Sequence, residues 1–138
     1  GIYDMEDLWQ RASAMADFLA AEKAARGAPR TIGLGYSNGA NILSAVALTR
    51  PDLVDDYVLM HPLVPWTTDP QPGLAGRRIL VTAGERDPIC PAAETRAYEA
   101  YLKEQGAHVT TVWHPGGHDL RQTEFVAAQA FLAPVTAR

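Results

Sequence analysis

The chain has 138 residues, 12 basic against 16 acidic side chains for a net charge of −4, and a 47% hydrophobic share. That is enough apolar material for one packed core and one domain over residues 1–138. The acidic balance and the lack of any Lys/Arg run argue against a nucleic-acid partner or an anionic membrane surface. Cys90 stands alone, so no intrachain disulfide requires an oxidising compartment. No apolar window reaches membrane-spanning length, and the start, Gly-Ile-Tyr-Asp-Met-Glu-Asp, is acidic rather than signal-like. The expectation is a soluble cytoplasmic protein with no membrane partner.

Residues 3–26 read as a helix, capped by Asp4 or Asp7 and stopped by Gly27 and Pro29. Leu8, Ala12, Met15, Phe18 and Leu19 form its apolar stripe. Residues 31–36 read as a short buried strand in which two glycines invite close backbone approach. The run from Ile42 to Arg50 reads as a helix ended by Pro51. Tyr57 to Met60 is the next strand, and His61 to Gly76 is a loop punctuated by four prolines. Arg78 to Ala83 is apolar in the way of a parallel strand covered on both faces. A helix follows, with Pro91 as its first residue and Gly106 just past its end. His108 to Trp113 is the fourth strand. Asp119 and Gln122 resemble a capping box for a last helix reaching Leu132. Helix and strand alternate throughout, which predicts an α/β fold: a parallel sheet with helices on both faces.

Gly35-Tyr36-Ser37-Asn38-Gly39 fits G-x-S-x-G between a predicted strand and a predicted helix, the context this motif requires. A serine there sits on a sharp, strained turn above the C-terminal edge of the sheet. Side chains at Gly35 and Gly39 are expected to collide with the neighbouring backbone. The turn also sets the Asn38 N–H at a helix N-terminus, aimed at a developing oxyanion. The third glycine of a dinucleotide fingerprint is missing, and no Gly-Lys-Ser/Thr follows, so nucleotide binding is not expected.

A serine hydroxyl needs a base within hydrogen-bond reach, and that base needs an orienting carboxylate. On a parallel sheet these partners come from loops that leave later strands. Asp87, in Ala83-Gly84-Glu85-Arg86-Asp87-Pro88, is the candidate acid, with Glu85 as its rival and Asp69 more remote. His118, in His114-Pro115-Gly116-Gly117-His118-Asp119, is the candidate base, with His114 as its competitor. His61, Leu63, Val64 and Trp66 leave the second strand as an apolar loop that could wall an acyl pocket. No ligand spacing such as H-E-x-x-H is present, so neither metal nor cofactor is expected. Cys90 reads as a small buried residue rather than a second nucleophile.

With these motifs in hand, the chain resembles the carboxylesterase/phospholipase branch of the α/β-hydrolase superfamily, which includes acyl-protein thioesterases and dienelactone-hydrolase relatives. The resemblance runs from about Tyr3 to Leu132. Gly-Tyr-Ser-Asn-Gly-Ala-Asn, Ala-Gly-Glu-Arg-Asp-Pro-Ile-Cys-Pro and Pro-Gly-Gly-His-Asp-Leu carry it most specifically. It implies Ser37 as nucleophile, Asp87 as orienting acid, His118 as general base and Asn38 as one backbone oxyanion donor. A small-molecule ester is the implied substrate, without a cofactor. Dienelactone hydrolases use cysteine as nucleophile, so Ser37 points to the esterase side. Family members carry sixty or more residues ahead of the stretch matching Tyr3, including the first strands and a second oxyanion donor. The expectation is therefore a reduced α/β-hydrolase core lacking those first strands, with the serine-bearing strand at a sheet edge. Such an edge calls for a covering chain, and a homodimer or higher homo-oligomer is expected. A catalytically weak or dead scaffold acting as a binding module, and a thioesterase with the same triad, are the alternatives.

Overall fold

The computed structural model describes residues 4–27, 30–64 and 69–136, with the side chain of residue 136 left aside. The elements are α1 (Met5–Ala25), β1 (Ile32–Tyr36), α2 (Asn38–Thr49), β2 (Asp56–Met60), β3 (Arg78–Gly84), α3 (Ala92–Glu104), β4 (His108–His114) and α4 (Gln122–Thr136). A 3₁₀ turn, Pro72–Leu74, interrupts the proline-rich connection from β2 to β3.

The four strands form one parallel sheet in the order β1-β2-β3-β4. One face carries the main core, where Leu43 and Ala47 of α2 and Tyr98 and Leu102 of α3 pack on Tyr57, Leu59, Ile79 and Val81. The other face is covered by α4, with Ala128 against Val58, Met60 and Leu80. β2 is buried at every position and β3 nearly so, as a parallel strand sandwiched between helices must be.

The register decides where loops emerge. Tyr36 pairs with Met60, Met60 with Thr82, and Gly84 with His114, so all four strands end along one edge. The ladder continues one residue beyond: Ser37 N–H donates to Met60 O, His61 N–H to Thr82 O and Glu85 N–H to His114 O, each at 2.8 Å. The three segments that carry the candidate site are thereby fixed side by side.

Several expectations are adjusted. Asp4 is the α1 cap, its Oδ1 accepting from Asp7 N–H at 2.9 Å. α2 begins at Asn38, directly after the serine, because the turn feeds straight into the helix. Pro91 is the N-cap of α3 rather than its first residue, and Gly106 follows that helix with φ +86°. Asp119 and Gln122 do not form the capping box. Glu124 reaches back to accept from Arg121 N–H at 3.0 Å, the reciprocal half of such a box three residues into a helix. α4 also runs past Leu132 and carries Pro134 inside its last turn.

β1 forms one edge of the sheet and β4 the other. Gly33 and Gly35 face α2, while Ile32, Leu34 and Tyr36 face outward, Leu34 with 57% of its surface exposed. Beside them lies a groove of about 280 Å³ lined by Met15, Leu19, Leu34, Ile42 and Leu43 among others. Among the described residues no helix is long and apolar enough to cross a membrane.

Candidate active site

Ser37 sits between β1 and α2 with φ +55° and ψ −114°. This is a strained conformation for a residue with a side chain, of the kind held only where surroundings over-determine it. It becomes possible because Gly35 lies almost on top of the first turn of α2. A Cβ there would stand 2.6 Å from Gly39 C and 2.7 Å from Ala40 N. The expected collision at Gly39 is not found: a Cβ added there meets no described atom within 4 Å. The close approach is one-sided, a Gly35 side chain against Gly39 backbone.

The turn points the hydroxyl at the loop that follows β4. Ser37 Oγ lies 2.8 Å from His118 Nε2, and His118 Nδ1 lies 2.6 Å from Asp87 Oδ2. The structure thus brings together Ser37, His118 and Asp87 in one hydrogen-bonded line. Glu85 is exposed and outside it. His114, the competing imidazole, is buried and directed elsewhere. Its Nδ1 accepts from Gly116 N–H at 3.0 Å, and its Nε2 lies 3.0 Å from Asp119 O.

The two loops are laced together. Arg86 N–H donates to Gly116 O at 2.9 Å. A Cβ on Gly84 would come within 2.1 Å of Gly117 O, so glycine at the end of β3 is what lets the histidine loop close over it. Tyr36 OH donates to His118 O at 2.7 Å, fixing that loop from the β1 side. The Tyr36 phenol is raised above its ordinary range by burial and then by the charges of Asp87 and Glu124.

Asp87 is held by four donors. Oδ1 accepts from Ile89 N–H at 2.8 Å and Cys90 N–H at 2.9 Å, and Oδ2 from the Nδ1 atoms of His118 and His61. Burial alone pushes its carboxyl upward. The hydrogen bonds from Cys90, His61, His118 and Ile89 outweigh that, and the group is held below the usual carboxylate range. The group between His118 and the sheet is therefore an ionised acceptor.

His61 is not on an open pocket wall. It is fully buried beneath Asp87, because its backbone adopts φ +53° and turns the ring inward. Its Nε2 lies 2.9 Å from Glu124 Oε2, off the line of a well-aligned hydrogen bond. Glu124 is also fully buried. It takes the Thr82 hydroxyl on the same oxygen and lies 3.1 Å from His114 Nε2 through the other. Neither Glu124 nor Thr82 stood out in the sequence. The one available signal was a Glu close to a predicted helix start, and the capping-box reading, which paired Asp119 with Gln122, passed over it. Leu63 and Val64 are half-buried. Leu63 N–H donates to Asn41 Oδ1 at 2.6 Å, and Val64 packs on the main core. Trp66 lies outside the described residues.

His61 with Asp87 and His118, and His61 with His114 and Glu124, place their donor atoms within 4.8 Å of one another, close enough to hold a cation. Each of these imidazole nitrogens already faces an oxygen or a backbone N–H. The donor sets are accounted for as acid–base pairs.

A parallel sheet with helices on both faces, a strained serine turn, and an Asp and a His from the two following loops define an α/β-hydrolase. The chain belongs to the dienelactone hydrolase family, whose pattern matches residues 4–124. It is similar to the protein MhqD of Bacillus subtilis (strain 168), with 36% identity over 126 residues, 90% of this chain and 63% of that protein. The fold matches Atu2452 of Agrobacterium tumefaciens str. C58, a protein of unknown function, with TM-score 0.89 and 51% identity over 97% of this chain and 66% of that one. It also matches the Bacillus cereus carboxylesterase, with TM-score 0.85 and 32% identity over 97% of this chain and 64% of that one. The chain spans just under two thirds of the length of each.

Proposed function

We propose that this chain carries the catalytic centre of a serine carboxylesterase that hydrolyses short-chain carboxylic esters. The observation that carries this reading is the continuous line Ser37 Oγ–His118 Nε2 at 2.8 Å and His118 Nδ1–Asp87 Oδ2 at 2.6 Å. The order of these residues along the chain, the strained turn and the similarity to a carboxylesterase support it.

In this reading Ser37 Oγ bonds to the ester carbonyl carbon as its proton passes to His118 Nε2. The carbonyl oxygen takes up the negative charge, and the Asn38 N–H in the first turn of α2 is its donor. The tetrahedral intermediate then expels the alcohol, which leaves with the proton from His118. Water repeats the sequence on the acyl-Ser37 ester and releases the acid. Asp87 keeps the proton of the resting imidazole on Nδ1 and stabilises the imidazolium. The cycle calls on no cofactor. Ser37 is half-exposed and the connections that follow β3 and β4 beside it are short, which suits small acyl groups.

The test is labelling with a fluorophosphonate, read as intact mass. One adduct on the wild-type chain, absent from Ser37→Ala and strongly slowed in His118→Ala, is the expected result. A folded wild-type chain that takes no adduct overturns the proposal.

A further inference from the structure

His61 presents both ring nitrogens to carboxylates. Nδ1 lies 3.0 Å from Asp87 Oδ2, and Nε2 lies 2.9 Å from Glu124 Oε2, with all three side chains at or below 1% exposure. A neutral imidazole has one N–H and one lone pair. Its lone pair would face a carboxylate oxygen at 2.9 or 3.0 Å, where no solvent screens the repulsion. A proton therefore lies on each contact. Glu124 already accepts the Thr82 hydroxyl on Oε2 and the Arg121 N–H on Oε1, the pattern of an ionised carboxylate, which puts both protons on the ring.

Of the groups around His61, His114 accepts Gly116 N–H on Nδ1, so its Nε2 carries the hydrogen and the ring is neutral. The Tyr36 ring stands 5.8 Å away and His118 5.2 Å. The Cys90 thiol donates to His61 O at 3.3 Å. Burial first, and then Asp87, pushes that thiol up to about 12, and Tyr36 too is raised, so both are neutral. Asp119 and Arg121 pair with each other at the surface beyond His114. The charge inside is that of Asp87, His61 and Glu124: one net negative, not two.

We propose that His61, backed by Glu124, is a positioning residue that sets the basicity of His118 through Asp87. The inference rests on the serine-hydrolase reading above. Asp87 Oδ2 serves both imidazoles. The share of its charge taken by His61 is withdrawn from His118, whose imidazolium is then held less strongly than beside an unshared carboxylate. The left-handed backbone of His61 holds the ring beneath Asp87 and not in the cleft.

The test is the pH dependence of fluorophosphonate labelling in four full-length chains: wild type, His61→Asn, Glu124→Gln and the double variant. Asparagine keeps an N–H for Asp87 and discards the positive charge. The expected half-maximal pH for His61→Asn rises by about one pH unit, a tenfold slower labelling on the acid side. Glu124→Gln does not raise it, and the double variant, which removes a neutral pair, returns to the wild-type value. Midpoints that coincide, or a double variant as displaced as His61→Asn, overturn the inference. No adduct on wild type overturns the hydrolase reading itself. Nitrogen-15 spectra of the wild-type histidines at pH 7 decide the matter even if His61→Asn does not fold. Two protonated nitrogens on the His61 ring are expected, and a bare one overturns the inference.

Discussion

A Cβ placed on Gly35 would stand 2.6 Å from the carbonyl carbon of Gly39, inside any allowed contact. The atoms it meets are helix backbone, which cannot swing away as a side-chain tip can. Relief requires lifting α2 from β1, and Ser37 is the hinge between them. Gly35→Ala is expected to cost about 1–3 kcal/mol of stability. Displacing the hydroxyl by even ~1 Å is expected to slow labelling about 100-fold. Gly39→Ala is the control, with no described atom in reach and a helical position that favours alanine. Melting curves and labelling rates of the two variants check this; equal behaviour contradicts the one-sided contact.

Ser37, Asp87 and His118 were legible because local sequence carries their requirements: glycines where backbones approach, and a loop after each strand. The parallel sheet was legible for the same reason, since alternation and apolar runs are local. His61 and Glu124 were not. Their contact joins the end of β2 to the first turn of α4 through the interior, and nothing in either segment announces the other. His61 in particular reads as a loop residue after an apolar strand, and only its backbone angle turns the ring beneath Asp87. The cap at Asp119 failed because Arg121 takes that carboxylate at 3.2 Å while Glu124 serves the helix start.

The depressed Asp87 carboxyl has a consequence in acid. A carboxylate whose folded pKa lies below the unfolded value of about 3.9 adds stability above that value, and loses it as pH falls through the folded one. Asp87 and Asp56 both have this sign. Thermal midpoints measured downward from pH 6 are expected to hold until about pH 4 and then drop. Asp87→Asn is expected to show a shallower drop over the same window. An acid limb as steep as wild type would show that Asp87 does not titrate against folding.

Asp56 tests the opposite edge of the sheet. Its carboxylate, fully buried, takes Arg30 through two bonds of 2.8 and 3.0 Å and Arg78 at 3.0 Å. Burial pushes its carboxyl up, and Arg30 and then Arg78 pull it below the ordinary range. Asp56→Ala strands two guanidinium groups, though Arg30 is half-exposed and keeps part of its hydration. A loss of about 3 kcal/mol is expected, the low end for a broken buried pair. Labelling of Ser37 in the folded protein should be unchanged, since the two sites lie at opposite strand ends. Chemical denaturation beside labelling rates measures both.

Cys90 tests the proposal that Ser37, and not a cysteine, is the nucleophile. The thiol is buried, donates to His61 O, and is pushed up to about 12 by burial and by Asp87. At pH 8 the thiolate is on the order of one part in ten thousand. The folded chain is expected to resist iodoacetamide at pH 8 and to react fully once denatured. Cys90→Ala should retain the fluorophosphonate adduct. Rapid alkylation of the native thiol would contradict the burial, and loss of the adduct in Cys90→Ala would contradict the assignment of Ser37 as the nucleophile.

The outward face of β1 gives a test of how the 138-residue chain behaves in solution. Ile32, Leu34 and Tyr36 lie exposed along an edge strand, beside the groove under Met15 and Leu19. An edge of this kind offers unpaired backbone groups and apolar surface together, the combination that drives strand-to-strand association. The chain by itself is expected to form dimers or larger species at micromolar concentration. Leu34→Lys puts a charge at the centre of that face, where Leu34 is 57% exposed, and is expected to shift the population toward monomer without loss of melting temperature. Sedimentation velocity across a concentration series reads both. A monomeric wild type at the highest concentration would show that the edge does not recruit a second copy. A dispersed Leu34→Lys that still labels at Ser37 would show that association is not required for the triad to form.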